Sequence, residues 1–591
     1  MANINKQSFK VCCCFERIFR FKAAEPPEDI KKIFDKYAEN SIMSLDGLHR
    51  FLVEFQGESE ATKEDAQVIF NSLKHLNMFQ RKGLHFDAFF RYLFGDLNPP
   101  IFSEVNHNMK APLAHYFLYT GHNSYLTGNQ LSSNSSVKPI IQALQRGVRV
   151  IELDLWPNSK KNGVAVLHGG TLTRPVELIK CLRAIKDNAF TASEYPVVIT
   201  FEDHLTSPLQ AKVAKMVTET FGDMLYVPDS EFLMEFSSPE MLKRKILIST
   251  KPPEHNERQR RKDSGGATDK DNDEDDRDED EENADLQYKQ LIAIHAGKPK
   301  GGLDMLHIDP KKVRRLSLSE QQLERASKTR RTDIVRFTQR NLLRIYPKGT
   351  RVDSSNYDPM LGWSHGAQMV AFNMQGHDKH LHIMEGMFRA NGGCGYVKKP
   401  KFLLTGSPDN EVFNPEKSYR VRQILKVKVY MGEGWHSDFH RTHFDLFSPP
   451  DFFVRVGIAG VPTDTLMEET KTIEDEWIPV WNQEFNFPLS VPELAVLRIE
   501  VKEYDSSGNH DFGGQICLPI SELRTGFRAV PLHDKKGQDP IPPQVKGINV
   551  VNCNSNSNSV SKTISFVVKK LEKDMDVSWS VSASSNRVRN A

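Results

Sequence analysis

Between residues 113 and 251, short β-branched runs alternate with helical stretches, and the alternation resumes beyond a dense acidic tract. HYFLYT, VRVIELDLW, GVAVLHG, YPVVITFED and KILIST read as strands; VKPIIQALQRG, VELIKCLRAIKDNAF and PLQAKVAKMVTETFG read as helices. Strand and helix in turn argue a parallel sheet covered by helices. After the tract, DIVRFTQRNLLRIYPKG looks like a helix running into a strand, and AQMVAFNMQ and CGYVKKPKFLL look like further strands. Five strands before the break and about three after it make eight, the count that closes a (β/α)8 TIM barrel, here split by an insertion.

The remaining segments are arranged around that barrel. Residues 1–25 read as an N-terminal tail containing VCCCFERIFRF. Its Cys12, Cys13 and Cys14 allow two readings, a loose end or S-acylation beside an aromatic, basic membrane-surface segment. Over 26–98, EDIKKIFDKYA, AQVIFNSLKHL and FDAFFRYLF have apolar residues at helical spacing, as in an EF-hand-like region. The calcium-loop pattern D-x-D-x-D-G-x5-E does not occur there, so a structural helical brace is expected. The barrel halves are placed at 108–252 and 288–405. In the linker between them, 253–287, the span Asp269–Asp285 holds 12 carboxylates against two basic residues. Such a run repels itself and is expected to be disordered, either as a spacer or as an acidic flap competing with anionic lipid. Residues 418–535 carry short strands between turns, the pattern of a β-sandwich. The stretch 536–591 reads as an atypical C-terminal tail. Pro540, Pro542 and Pro543 break strand character, although SKTISFVVKKLE could add one edge strand.

Lys and Arg number 78 against 77 Asp and Glu, a net charge of +1, which argues against a chain built to neutralise nucleic-acid phosphates. Seven Cys in 591 residues do not make a disulfide framework and fit a reducing compartment. No apolar window is long enough to span a membrane, no secretory signal opens the chain, and Ala2 excludes N-myristoylation.

In such a barrel the chemistry lies where strands end. His122 and Asn123 follow the first strand, Glu152 and Asp154 stand two apart on the second, His168 ends the third, and Glu202 and Asp203 end the fourth. Residues two apart on a strand share a face. Carboxylates and an amide oxygen converging on one point repel unless a hard divalent cation joins them, and an all-oxygen set suits Ca²⁺ or Mg²⁺. Two imidazoles then remain for proton transfer. Metal plus two proton carriers fits displacement at a phosphodiester.

These residues carry a resemblance. HYFLYTGHNSYLTGNQLSSNSS, RGVRVIELDLWPN, VLHGGTLT, ASEYPVVITFEDH and KRKILISTKPP resemble the X box of phosphoinositide-specific phospholipase C; RFTQRNLLRIYPKGTRVDSSNYDPMLGWSHGAQMVAFNMQ and RANGGCGYVKKP resemble its Y box. YTGHNSYLTGNQLSS and GWSHGAQMVAFNMQG are most similar to the plant-type branch. The resemblance implies a calcium-dependent phosphodiesterase that releases diacylglycerol and an inositol phosphate from phosphatidylinositol 4,5-bisphosphate, and from the 4-phosphate. It implies that His122 stabilises the pentavalent phosphate, that Asn123, Glu152, Asp154 and Glu202 hold calcium, that Glu152 also takes the 2-hydroxyl proton, and that His168 is the general acid. Lys251, Ser317, Arg344 and Tyr346 match headgroup contacts, while Ser249 stands where animal members have a second lysine. The sandwich resembles a C2 domain, and Asp451, Glu503, Asp505 and Asp511 on its loops are expected to form a second calcium site.

The implied setting is cytoplasmic, peripheral at the inner face of the plasma membrane, with an anionic phosphoinositide membrane as partner, no nucleic acid, and a monomeric chain. The main alternative is a catalytically weak lipid-binding scaffold with an incomplete C2 domain. A glycerophosphodiesterase-like barrel is a third reading, opposed by the sandwich and by Lys251 and Arg344.

Overall fold

The computed structural model describes residues 5–12, 15–21, 28–73, 83–95, 97–230, 232–253, 286–297, 306–405, 411–435, 444, 448–535, 537 and 563–572, with 5–12, 15–21 and 563–572 described through their backbone alone. The chain forms two compact units. One comprises 1–102, 385–387 and 417–591, the other 103–384 and 388–416.

The second unit is the barrel. Its parallel strands are β3 (Thr120–Gly121), β4 (Val150–Pro157), β5 (Val197–Asp203), β6 (Ile246–Thr250), β7 (Ile292–His295), β8 (Arg315–Ser319), β9 (Leu342–Tyr346) and β10 (Met369–Phe372). They pair in the order β7-β6-β5-β4-β3-β10-β9-β8. A single parallel bridge, Ala296 to Arg315, brings the ends together, with Gly297 N–H donating to Arg315 O at 2.8 Å. Below the mouth the inward face is apolar: Val150, Val198, Leu247, Ala293, Leu342 and Met369 belong to one buried cluster. Two residues further along each strand, Glu152, Thr200, Ser249 and Arg344 stand on the same face by alternation. The polar centre therefore rests on a dry floor.

The eight barrel strands include two that the sequence reading did not identify, and two that it assigned lie elsewhere. Val164–Val166, from GVAVLHG, pairs antiparallel with β4, Leu155 opposite Val166. Only residues 158–163 separate the two strands, and a parallel crossover needs about a dozen. Tyr396–Lys398, from CGYVKKP, pairs antiparallel with Tyr116–Leu118. IAIH (β7) and RLSLS (β8) take the vacated places in the barrel.

The first unit joins four helices to a sandwich. The helices are α1 (Glu28–Tyr37), α2 (Leu45–Glu54), α3 (Lys63–Ser72) and α4 (Phe86–Leu93). Ser44 caps α2 by accepting from Gly47 N–H at 3.1 Å, and Thr62 with Asp65 forms a capping box on α3. One sheet of the sandwich is ordered β14 (Val480–Leu489), β11 (Gln423–Glu433), β18 (Thr563–Glu572), β17 (Gly526–Pro531). The other is ordered β13 (Leu466–Glu469), β12 (Phe452–Ala459), β15 (Val496–Glu503), β16 (Asp511–Pro519). The stretch read as a C-terminal tail thus supplies β18, which lies between β11 and β17 rather than at an edge. The N-terminal tail likewise contains an antiparallel hairpin, β1 (Asn5–Cys12) and β2 (Phe15–Phe21). Cys12 ends β1; Cys13, Cys14 and the acidic tract lie outside the described residues.

Helices and sandwich share a core in which Phe34, Phe51 and Phe89 pack with Tyr430, Met431 and Phe527. Its polar seam is Gln56. The amide accepts from Phe527 N–H at 2.6 Å and donates to Phe527 O at 2.9 Å and Asn98 Oδ1 at 3.1 Å. Arg528, fully buried, donates to Asn98 Oδ1 at 2.7 Å and Glu58 Oε1 at 2.9 Å. Gln56→Leu orphans the buried Phe527 N–H, while Phe527 O keeps the Asn98 Nδ2 donor at 2.9 Å, and is expected to destabilise this unit by about 1–3 kcal/mol, seen as an earlier urea transition in full-length protein.

Candidate active site

The acidic centre is built by β4 and β5. Glu152 pairs with Thr200 and Asp154 with Glu202, so alternation brings three carboxylates to one side. A ligand oxygen from each of Glu152, Asp154 and Glu202 lies within 4.8 Å of the others. Glu152 and Asp154 are buried, whereas Glu202 is exposed. Asp154 Oδ2 accepts from Tyr125 Oη at 2.7 Å, while its buried Oδ1 has no partner among the described residues. Burial, and next the charges of Glu152 and Glu202, push the Asp154 carboxyl well above the usual range. Burial also pushes Glu152 upward, but Arg344, His122 and the Asn123 N–H outweigh it and hold that carboxyl below its ordinary value. An orphaned buried oxygen amid like charges is the environment a hard divalent cation satisfies, so the residues fit such an ion.

Asn123 adopts a left-handed conformation at φ 42°. This lets its backbone N–H donate to Glu152 Oε2 at 3.1 Å. Its side-chain Nδ2 donates to Gln130 Oε1 at 2.9 Å, which leaves the amide oxygen as the acceptor end.

The two imidazoles are held by one hydrogen-bond system. His122 Nδ1 donates to Asn373 Oδ1 at 2.9 Å, and Gln130 Nε2 donates to the same oxygen at 3.0 Å. His168 Nδ1 donates to Gln130 O at 2.7 Å. With both Nδ1 atoms carrying protons, Nε2 is the exchanging nitrogen of each neutral ring. Burial lowers the pKa of His122, a neighbouring Glu152 opposes this, and His168 lowers it slightly further. His168 is carried by the antiparallel flap after β4, not by a barrel strand.

A cavity of about 760 Å³ opens beside these groups, lined by His122, Glu152 and Glu202 together with Lys251, Arg315, Ser317, Arg344 and Tyr346. Arg344 Nη2 stands 2.5 Å from Glu152 Oε1, a charge contact rather than an aligned hydrogen bond. Its guanidinium lies 5.5 Å from the Tyr346 ring centre. Ser249 does not line this cavity: it is fully covered, and its hydroxyl donates to Ile294 O at 3.1 Å. Leu131, which follows Gln130, and Leu172, four residues after His168, are 49 % and 84 % exposed and are held together by Leu172 N–H donating to Leu131 O at 2.8 Å.

The expected second metal site is not assembled. Among the described residues only the barrel trio gathers as a group of three. Glu503 is enclosed in the sheet opposite Phe452 and Asp511. Exposed Asp505 accepts from Ser507 N–H at 2.6 Å, and Asp451 accepts from Asp475 N–H at 2.7 Å. Asp505 thus braces its own loop, and Asp451 ties to the backbone of a second loop.

Sequence reading missed Gln130, Asn373 and Arg315. Gln130 and Asn373 occur in the quoted YLTGNQL and VAFNMQ segments, but an amide gives no sign of which partners it will meet. Arg315 lies two residues before Ser317, on the same face of its strand, and that spacing was the available signal.

A barrel mouth with clustered carboxylates, paired imidazoles and unneutralised cations suits a phosphorylated, anionic substrate. Models of the phosphatidylinositol-specific phospholipase C X domain, Y domain and C2 domain match residues 109–252, 304–402 and 423–534, and a phosphoinositide-specific phospholipase C EF-hand-like model matches 21–102. Phosphoinositide phospholipase C 2 of Arabidopsis thaliana is 59 % identical over 569 residues, covering 90 % of this chain and 98 % of that one. The mouse 1-phosphatidylinositol 4,5-bisphosphate phosphodiesterase delta-3 is 33 % identical, covering 87 % and 67 %. The crystal structure of L. pealei PLC21 superposes with a TM-score of 0.71 at 25 % identity, over 93 % of this chain and 69 % of that one. The chain belongs to the phosphoinositide-specific phospholipase C family, in its plant-type branch, and it is an enzyme of that class.

Gln130→Leu removes the side-chain amide that supports Asn123 directly and His122 through Asn373, while the backbone carbonyl that holds His168 remains. Full-length Q130L is expected to lose roughly 10–100-fold in kcat with a smaller change in KM, measured by inositol phosphate release under saturating substrate.

Proposed function

We propose that the chain is a calcium-dependent phosphodiesterase acting on phosphatidylinositol 4,5-bisphosphate, and on the 4-phosphate, at the inner face of the plasma membrane. The observation that carries this reading is the meeting of Glu152, Asp154 and Glu202, two of them lining with His122 a cavity that also holds Lys251, Arg315 and Arg344. Asn123, Glu152, Asp154 and Glu202 would hold calcium. When bound, the ion supplies positive charge to the phosphoryl oxygens and the attacking hydroxyl.

The chain's own groups then divide the work. Glu152 accepts the proton of the inositol 2-hydroxyl as its oxygen attacks phosphorus. His122, as imidazolium once the substrate phosphate is beside it, keeps Nδ1–H on Asn373 and donates from Nε2 to a phosphoryl oxygen. His168, entering as imidazolium, delivers its Nε2 proton to the departing diacylglycerol oxygen and is left neutral, and a cyclic phosphodiester forms. In the second step His168 takes a proton from water, the water oxygen attacks phosphorus, and Glu152 returns its proton to the 2-oxygen. Lys251, Ser317, Arg344 and Tyr346 line the space for the inositol ring and its phosphates.

No helix among the described residues is long and apolar enough to cross a membrane. Exposed Leu131 and Leu172, next to Gln130 and shortly after His168 in the chain, offer apolar contact with a lipid surface, and the C2 domain supports peripheral membrane association.

Vesicles carrying phosphatidylinositol 4,5-bisphosphate are expected to release inositol phosphate as calcium is titrated in, with release lost on chelation; calcium-independent turnover would reject this reading. His122→Ala is expected to lower release by roughly 10²–10⁴-fold while vesicle binding persists, whereas a scaffold would show no activity to lose. Leu172→Ser is expected to reduce turnover on vesicles several-fold more than on a monomeric short-chain substrate, measured side by side.

A further inference from the structure

The cations of the cavity are not equivalent. Lys251 is exposed, and Arg344 is in contact with Glu152. Arg315 is 5 % exposed and lines the cavity, and its Nη1 donates to Thr200 Oγ1 at 3.1 Å. Its Nε has no partner among the described residues, and no carboxylate there forms an ion pair with it. Burial, and next the neighbouring Arg344 charge, push its pKa down to about 9. A buried guanidinium beside another is unfavourable unless an anion joins them.

The local packing makes room for this group. Thr200 on β5 and Ser249 on β6 are register partners, and both are small. Arg315 reaches Thr200 from β8, the strand brought to the opposite end of the sheet order.

We propose that Arg315 receives a ring phosphate of the inositol headgroup, a phosphomonoester dianion, and so sets the preference for polyphosphorylated over unphosphorylated headgroups. This rests on the phosphodiesterase reading above and adds a recognition residue to it. The planar donor fork matches phosphate oxygens, and Ser317, two residues along the same strand face, supplies a neighbouring hydroxyl.

The test compares full-length wild type, Arg315→Met and Arg315→Lys on vesicles of identical composition carrying phosphatidylinositol, its 4-phosphate or its 4,5-bisphosphate. The readout is the ratio of kcat/KM for the bisphosphate to that for phosphatidylinositol. Loss of a charge-assisted contact is expected to lower this ratio roughly tenfold or more in R315M, with R315K between the two. An unchanged ratio, or an equal proportional loss on all three lipids, overturns the proposal; the equal loss would make Arg315 a barrel strut. Should R315M fail to fold, an unchanged ratio in R315K overturns it as well. So does wild-type binding of inositol 1,4,5-trisphosphate no tighter than of inositol 1-phosphate. Wild-type silence toward all three lipids overturns the function and this inference together, whereas active wild type with insensitive variants overturns only the inference.

Discussion

The repulsion among Glu152, Asp154 and Glu202 is the constraint on which the barrel mouth depends. Two of these carboxylates are buried, and their oxygens lie within 4.8 Å of each other and of the third. Bringing like charges out of water is unfavourable unless each finds compensation. The chain supplies part of it: Tyr125 donates to Asp154, while the Asn123 N–H and the Arg344 guanidinium serve Glu152. Asp154 Oδ1 is left over, and its carboxyl is pushed toward the protonated state. That residual frustration makes the site receptive to a hard cation. The apolar floor beneath it removes competing water, so the uncompensated charge is felt strongly.

The imidazoles meet a separate requirement, orientation. His122 and His168 come from different kinds of element, the end of a barrel strand and an antiparallel flap. They are brought into one proton geometry because Gln130 uses its amide toward Asn373 and Asn123 and its carbonyl toward His168. A neutral amide can do this without adding charge to an already crowded centre. A carboxylate in its place would strengthen the repulsion it is positioned beside.

In the first unit the helices and the sandwich are fused by a buried polar seam rather than by apolar contact alone. Gln56, Asn98 and Arg528 satisfy the backbone of β17 while Phe527 fills the helical core. The sandwich is completed in sequence-distant fashion, with β18 inserted between β11 and β17 after a long intervening stretch. The prolines at 540, 542 and 543 argue in sequence against a strand there, and the strand that pairs with both β11 and β17 comes from 563–572.

The barrel class, its division by an acidic insertion and the carboxylates of β4 and β5 were legible because alternation along a strand is a local property: residues two apart face the same way whatever surrounds them. His122 and Arg344 were legible for a similar reason, each lying near the end of a strongly patterned strand. Which strands closed the barrel was not, since GVAVLHG and IAIH have similar composition and only loop length and pairing separate flap from barrel strand. Ser249 and the sandwich carboxylates had suitable chemistry, but packing and loop hydrogen bonds gave them other partners. The residue pattern by itself determined the kind of centre present, because charge and periodicity are carried in the chain. Only the tertiary structure decided that Gln130 would join both imidazoles and that Arg315 would reach Thr200 across the barrel, because such contacts depend on distances between strands that no local spacing encodes.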